Sequence, residues 1–195
     1  LLHGLALKPG ERALDIGCGA GATTLRAAQA VGPDGLALGL DVSAPLVEVA
    51  QARARAAGSS ARFVLGDATD WSGESGFDAL LSRFGVMFFP DPVAAFSNMR
   101  ALMAPQGRAV WVAWRSPAEA ELFSLPMQTA LAFLTAPPPR SEPGAPGPFG
   151  LSDPDRTRHL METAGWHSVK VTPHDLFVSI RPEDRAGVFD RTALP

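Results

Sequence analysis

The stretch over residues 13–21, near the start of the chain, constrains the fold more than any other. It reads A-L-D-I-G-C-G-A-G, an apolar run that contains Asp15 and leads into glycines at Gly17, Gly19 and Gly21. We predict a buried strand, a tight turn and then a helix, because glycine adopts positive φ and lets a ligand approach the backbone. The N–H groups that begin the helix carry partial positive charge. This arrangement is typical of a parallel α/β sheet that binds a nucleotide-like ligand.

Strand-like and helix-like segments alternate over the first part of the chain. Short apolar runs predict strands over residues 12–16, 36–41, 61–65, 77–82 and 108–114. Helical segments lie between them, one after a cap at Ser43 and one after a cap at Asp91, with P-Q-G at 105–107 as a breaker. Strict alternation favours parallel strands with right-handed crossovers, which places the loops after the strands on one rim. We therefore predict an α/β fold with a doubly wound parallel sheet.

The pattern changes after residue 114. We expect a helix over 119–135 and then a loop over 136–150 that contains six prolines and three glycines. A capping-box pattern at Ser152 predicts a helix that ends near residue 164, and alternation over 167–172 and 176–180 predicts an edge hairpin. We find no internal repeats, and we predict a single domain over residues 1–195 with an insertion at about 136–150.

Composition and charge exclude several classes of protein. The chain has 195 residues and 46% hydrophobic content, enough for one full core. A net charge of −3 leaves no electrostatic footprint for nucleic acid, so we expect no such partner. There is one cysteine, and there is neither a signal pattern nor a long apolar span, so we expect a cytoplasmic protein without a transmembrane segment. The chain starts abruptly before its first strand, and we expect further residues upstream.

Acidic residues stand where the first three predicted strands end, at Asp15, Asp41 and Asp67. A carboxylate at Asp15 suits a cationic ligand and fits poorly beside a pyrophosphate. Asp41 follows the glycines by about 20 residues, where an acid holds ribose hydroxyls. Asp67 can accept a hydrogen bond from an adenine amino group, the N–H of Ala68 can donate to a ring nitrogen, and Val42 can supply an apolar face for the ring.

Two kinds of alternative remain for these residues. The spacing of Gly17, Gly19 and Ala22 also satisfies G-x-G-x-x-A, which with Asp41 fits an NAD-dependent oxidoreductase. Each acid could instead be a structural residue at a strand end. Asp41 could cap the next helix, although Ser43 is better placed for that role. A P-loop is excluded because the sequence has no G-K-[ST].

Five segments, taken in order, resemble the successive motifs of class I S-adenosylmethionine-dependent methyltransferases. They read A-L-D-I-G-C-G-A-G, G-L-D-V-S, G-D-A-T-D, F-D-A-L-L-S-R-F-G-V-M-F-F and L-M-A-P-Q-G-R-A-V-W-V-A-W. The likeness is greatest to the small-molecule branch that includes ubiquinone and menaquinone biosynthesis methyltransferases. It implies a mostly parallel seven-stranded sheet in three layers with an antiparallel last strand. It also implies S-adenosylmethionine as the cofactor and S-adenosylhomocysteine as the product. The chain departs from the family pattern in lacking the usual N-terminal lid helices.

The resemblance also implies a cofactor site, residue by residue. Gly17 and Gly19 would approach the methionine moiety, and Asp15 would steady its amino end through backbone or water. Asp41 would hold the ribose, and Ser82 would offer its carbonyl to the methionine amino group. The complete expected set is Asp15, Gly17, Cys18, Gly19, Asp41, Val42, Gly66, Asp67, Ala68 and Ser82.

The implied reaction is direct displacement at the sulfonium methyl, which needs alignment and exclusion of water but no metal. The histidines are scattered, so we assign no catalytic base, and Cys18 has no neighbouring His or Lys, so we expect it to pack rather than react. The acceptor is expected to be a small, largely apolar metabolite, bound by Arg83, Phe84, Met87 and Trp114. The residues after the fourth strand could instead be core, and Arg83 could be solvated. A non-catalytic cofactor-binding subunit and an NAD-dependent oxidoreductase are the alternative functions.

Overall fold

The computed structural model describes residues 1–136 and 142–176, and within them five strands form one sheet. The strands are β1 (Arg12–Ile16), β2 (Leu36–Asp41), β3 (Arg62–Leu65), β4 (Phe77–Arg83) and β5 (Met103–Val112). Every neighbouring pair is parallel, and the order across the sheet is β3-β2-β1-β4-β5. This is the doubly wound parallel α/β class that the alternating pattern predicts, so the expected fold class is confirmed.

Helices cover both faces of the sheet. The helices are α1 (Leu2–Leu5), α2 (Ala22–Val31), α3 (Ala44–Ala56), α4 (Pro92–Ala101), α5 (Glu121–Leu131) and α6 (Pro154–Thr163). Helix α2 packs on β1 and β2, α3 packs on β2 and β3, and α1 lies against β4 and β5. Helices α4 and α6 contact each other.

The core is divided by the sheet into two clusters, because successive side chains of a strand point to opposite faces. Leu14 of β1 belongs to the cluster that contains Phe96 of α4 and Met161 of α6. Its neighbour Ala13 belongs to the cluster that contains Val31 of α2. All of these side chains are buried. The result is the three-layer arrangement expected for strands whose two faces are both covered.

The helix caps follow the sequence predictions at Asp91 and in part at Ser43, and differ at α6. Asp91 accepts a hydrogen bond from the N–H of Ala94 at 3.0 Å, so its predicted cap is confirmed. Ser43 occupies the N-cap position of α3 as predicted, but its hydroxyl makes no capping bond. Helix α6 is capped by Asp153 and not by the capping box predicted at Ser152. The Asp153 carboxylate, next to Ser152, accepts the N–H groups of Asp155 and Arg156.

Strand β5 begins earlier and ends earlier than predicted. Phe77 is paired with Met103, but two residues along β4, Ala79 is paired with Arg108, so β5 carries a bulge between these pairs. The P-Q-G segment expected to break the preceding helix lies in this irregularity, where a proline that cannot donate to the ladder is tolerated. The strand ends at Val112, so Trp114 lies beyond it.

The region after β5 also differs from the prediction. The helix expected over 119–135 is a short 3-10 turn, Pro117–Glu119, followed by α5. Residues 167–172 form no strand, so the first half of the predicted edge hairpin is wrong. The second half, 176–180, and the predicted antiparallel last strand fall almost entirely outside the described residues. The single-domain prediction and the seven-strand count remain predictions.

Candidate functional site

The strand order reverses between β1 and β4, so their carboxyl ends form the topological switch point at which sheets of this class bind ligands. We call the space above these two strand ends the crevice. The glycine turn lies there, with φ of 64° at Gly17 and 54° at Gly19. A Cβ on Gly17 would meet the Cα of Gly85 at 2.7 Å, whereas a Cβ on Gly19 would have nothing within 4 Å. The two glycines therefore have different roles. Gly17 permits close backbone packing, and Gly19 leaves open space for a ligand.

Asp15 is a buried acid with one unpaired oxygen. It is 1% exposed, and its Oδ2 accepts hydrogen bonds from the hydroxyls of Thr23 at 2.6 Å and Thr24 at 2.7 Å. Its Oδ1 is buried without a partner among the described residues. Burial raises the pKa of Asp15 to about 6, against the lowering effects of the two hydroxyls and of the positive charge of Arg83. A nearby cationic ligand would favour the ionised carboxylate.

Asp41 connects the end of β2 to the glycine turn. Its Oδ2 accepts the N–H of Gly19 at 2.7 Å, and its Oδ1 accepts the N–H of Ser43 at 2.9 Å. The carboxylate thus lies at the open side of the turn and also begins the loop to α3, so the structural alternative and the ligand-binding role are compatible. The next side chain, Val42, is 67% exposed, which leaves an apolar surface beside the carboxylate.

Asp67 and Ala68 follow β3 on the same rim. The Asp67 side chain is exposed, and its Oδ1 accepts the N–H of Thr69 at 2.9 Å. The carbonyl of Ala68 accepts from the side-chain amide of Asn98 at 3.0 Å, and that amide also reaches the carbonyl of Trp71 at 3.0 Å. Asn98, on α4, therefore fixes the loop in which the expected adenine contacts lie. Sequence reasoning missed it, because only the folded chain brings α4 beside this loop.

Gly66 and Ser82 support the rim from inside the protein. A Cβ on Gly66 would lie 2.9 Å from the Cδ1 of Leu40, so a larger residue would disturb this packing. Ser82 is fully buried, and its hydroxyl donates to the carbonyl of Ile16 at 2.7 Å and accepts the N–H of Gly85 at 3.1 Å. These bonds tie β1 to β4 where the crevice begins. The predicted contact between the Ser82 carbonyl and a ligand remains a prediction.

Cys18 lies inside the glycine turn and packs against β2. Its side chain is buried, and its Sγ would be 2.8 Å from a Cβ added at Gly39. Burial, together with the negative charges of Asp15 and Asp41, raises the pKa of the thiol to about 12. A thiol in this environment is not a nucleophile at neutral pH. Its placement agrees with the packing role expected from the sequence.

The residues expected to bind the acceptor divide into two groups. Phe84 and Trp114 are half-buried and stack in parallel, with ring centroids 4.3 Å apart and an interplanar angle of 7°. Arg83 is exposed at the end of β4. Met87 is only 3% exposed, and its sulfur accepts the N–H of Trp114 at 3.4 Å. Met87 therefore belongs to the core, because packing covers it, and we withdraw it from the expected acceptor surface.

The aromatic contacts continue beyond the residues expected from the sequence. Trp114 meets Phe123 of α5 edge-to-face at 5.0 Å, and Phe123 meets Phe149 in the same way at 5.2 Å. Phe149 follows Gly147, whose N–H donates to the carbonyl of Met87 at 3.1 Å. We call Phe84, Trp114, Phe123 and Phe149 the aromatic row. Sequence reasoning missed Phe149 and also Gly85, which the F-G-V segment after β4 could have indicated as a close backbone contact.

No histidine among the described residues lies at the crevice. His3, His159, His167 and His174 are all exposed, on elements other than the strand ends that form it. Within residues 1–136 and 142–176, no group of three or more His, Cys, Asp or Glu side chains is arranged to hold a metal ion. Over the same residues, no helix combines the length and the apolar character required to cross a bilayer.

Residues 13–107 match a family model described as a methyltransferase domain. This match confirms the resemblance to S-adenosylmethionine-dependent methyltransferases that the ordered motifs indicate.

Two curated relatives and one solved structure illustrate the likeness. Nocamycin O-methyltransferase of Saccharothrix syringae is 37% identical over 103 residues, which are 52% of this chain and 37% of the relative. Demethylmenaquinone methyltransferase of Staphylococcus carnosus (strain TM300) is 32% identical over 118 residues, which are 60% of this chain and 48% of the relative. The chain thus spans less than half the length of either relative. A structure described as "Conversion of a Disulfide Bond into a Thioacetal Group during Echinomycin Biosynthesis" has a TM-score of 0.60 and 27% identity, and covers 77% of this chain and 60% of its own.

Proposed function

We propose that this protein binds S-adenosylmethionine in the crevice between β1 and β4 and transfers its methyl group to a small, apolar metabolite. The observation that carries the proposal is the convergence of Asp15, Asp41 and the open Gly19 on one turn. The Gly19 N–H is 2.7 Å from Asp41 Oδ2, and Asp15 lies directly before the turn with an unpaired oxygen. Three separate features of the family's cofactor site thus meet at the topological switch point.

The charges of this crevice fit the proposed cofactor. S-adenosylmethionine brings a sulfonium and an ammonium group, and both are cations that a buried carboxylate attracts. A dinucleotide would instead bring its diphosphate to the same glycine turn, next to Asp15, where two negative charges would repel one another. The buried position of Asp15, which is 1% exposed, strengthens that repulsion because water does not screen it. These charges favour the methyltransferase over the NAD-dependent alternative.

The chemistry supplied by the bound cofactor is an activated methyl group: the acceptor's lone pair forms a bond to the methyl carbon while the carbon–sulfur bond breaks toward sulfur, giving S-adenosylhomocysteine. Asp41 would hold the ribose by its carboxylate, and the Ala68 N–H with Asp67 would hold the adenine. The N–H of Ala68 makes no hydrogen bond within the described part of the chain, so it is suited to donate. Phe84 and Trp114 would exclude water from the acceptor side.

An apolar acceptor is supported by the aromatic side chains at the end of β4 and after β5. Phe84 and Trp114 are half-buried and stack on each other, so they offer an uncharged aromatic surface. The names of the two relatives, which refer to nocamycin O-methylation and to demethylmenaquinone, are compatible with such an acceptor.

Calorimetric titration with S-adenosylhomocysteine tests the cofactor assignment. The folded protein should bind it, and Asp41→Asn should weaken binding about 10- to 100-fold, because a hydrogen bond to a charged group contributes about 1.5–3 kcal/mol. Asp34→Asn is the matched control, since Asp34 is exposed in the turn before β2, at the opposite end of the strands.

The titration has clear contrary outcomes. No binding at millimolar ligand would refute the proposed function, and an equal loss in both variants would refute the ribose role of Asp41. NADH titrated under the same conditions should leave its fluorescence unchanged. Methyl transfer from labelled S-adenosylmethionine to a panel of hydroxylated metabolites then separates an enzyme from a subunit that only binds the cofactor.

A further inference from the structure

The aromatic row is built from four separate segments that only the fold brings together. Phe84 follows β4, Trp114 follows β5, Phe123 lies on α5, and Phe149 lies in the loop before α6. The ring centroids are 4.3, 5.0 and 5.2 Å apart along the row. All four side chains are only half-buried, so their rings are partly accessible from solvent.

The row starts next to the crevice. Phe84 directly precedes Gly85, and Gly85 is in backbone contact with Gly17 of the glycine turn, where an added Cβ would be 2.7 Å from the Gly85 Cα. Phe84 also has a φ of 64°, in the left-handed region that a bulky residue rarely adopts. Such backbone strain is concentrated at functional sites, where the surrounding structure maintains it. Here the Phe84 N–H donates to the carbonyl of Val112 at 3.0 Å, and the ring stacks on Trp114.

The far end of the row is apolar and open. Helix α5 buries none of its residues, and Leu122 and Leu125, on either side of Phe123 in sequence, are 51% and 54% exposed. A ligand that covers this apolar area would gain binding free energy from the hydrophobic effect. A flat aromatic ligand would gain further binding free energy from stacking and edge-to-face contacts.

We propose that the aromatic row is the acceptor subsite of the methyltransferase and that it selects a planar aromatic acceptor over an aliphatic one of the same size. This inference rests on the proposed function for its reaction and goes beyond it in naming the class of acceptor. The parallel stack of Phe84 on Trp114 is the geometry that a flat ring would extend or replace. Because Gly85 joins Phe84 to the glycine turn, a ring bound on the row would lie next to the proposed cofactor site.

A matched pair of probes tests the selection. 2-Naphthol and trans-2-decalol have the same carbon skeleton and one hydroxyl, but only the first is flat and aromatic. The decalol is at least as hydrophobic as 2-naphthol. A surface that selects by hydrophobicity alone would therefore bind the decalol as tightly as 2-naphthol or more tightly. Each is titrated calorimetrically into the full chain, with and without saturating S-adenosylhomocysteine. We expect 2-naphthol to bind at least tenfold more tightly.

Three substitutions locate the preference. Trp114→Leu and Phe123→Leu should each reduce the preference for 2-naphthol to less than threefold. Phe123→Leu should leave the fold intact, because Phe123 is only half-buried and α5 buries no residue. Phe88→Leu is the control: Phe88 lies on the same loop as Phe84, is 51% exposed, and its ring pairs with none of the four rings of the row. Circular dichroism and the affinity for S-adenosylhomocysteine report whether each variant is intact.

The outcomes separate this inference from the proposed function. Absence of S-adenosylhomocysteine binding overturns the proposed function, while the titrations without that ligand still test the row. Equal affinity for the two probes overturns the inference alone, and so does a preference that survives both Trp114→Leu and Phe123→Leu. A preference lost equally in Phe88→Leu would also overturn it, because the selection would not then belong to the row.

Discussion

The replacement of Asp15 by asparagine should make the stability of the protein less dependent on pH. The side chain is 1% exposed, and its carboxyl has a pKa of about 6 because of burial, compared with an ordinary value of 3.8. An amide oxygen can still accept the hydroxyl hydrogens of Thr23 and Thr24. The substitution therefore keeps the local hydrogen bonds and removes the titratable charge.

The sign and size of the effect follow from proton linkage. Between pH 3.8 and about 6 the folded protein binds the Asp15 proton and the unfolded chain does not, so the free energy of unfolding falls as the pH rises through this window. The shift from 3.8 to about 6 corresponds to about 3 kcal/mol, at 1.36 kcal/mol per pKa unit. The Asp15→Asn variant has no carboxyl at this position, so its free energy of unfolding does not fall for this reason. Its free energy of unfolding minus that of the wild type should thus rise by about 2 kcal/mol from pH 4 to pH 7, somewhat less than the full shift because the unfolded carboxyl is already partly ionised at pH 4.

Urea unfolding of the ligand-free proteins, followed by tryptophan fluorescence at half-unit steps from pH 4 to pH 8, measures this difference. Constant offsets, such as an unpaired amide N–H in the variant, do not change its slope. Asp34→Asn is the control and should follow the wild type, since Asp34 is exposed. A difference between Asp15→Asn and wild type that stays flat across the range would refute the assignment of a raised pKa to buried Asp15.

Two further predictions concern the glycine turn and its surroundings. Gly85→Ala should lower the free energy of unfolding by about 1–3 kcal/mol in urea titrations, because the new Cβ would meet the carbonyl of Ile16 at 2.6 Å; Gly4→Ala, where the nearest atom is 3.9 Å away, should cost nothing, and equal effects would contradict the close packing. Cys18 should react with a disulfide reagent at pH 8 only at the rate of protein opening, because burial raises its pKa to about 12. Immediate reaction of the folded protein would contradict that placement.

The sequence by itself determined the main strands and the edge of the sheet at which their carboxyl ends lie. Apolar runs followed by Asp15, Asp41 and Asp67 were sufficient to predict three strands and the edge at which they end, since each signal lies within a few neighbouring residues. The cap at Asp91 was readable for the same reason. The cap predicted at Ser152 was wrong by one residue, because the carboxylate of Asp153 makes the capping bonds of α6.

Only the tertiary structure decided which distant groups meet. The packing of Gly85 on Gly17 and the aromatic contact between Trp114 and Phe149 depend on the strand order, which no local pattern contains. The charge state of Asp15 was equally out of reach, because its pKa is set by how completely α2 and the sheet exclude water from its carboxylate. Local periodicity reports the conformation of a segment, whereas burial and long-range contacts arise when the segments pack together.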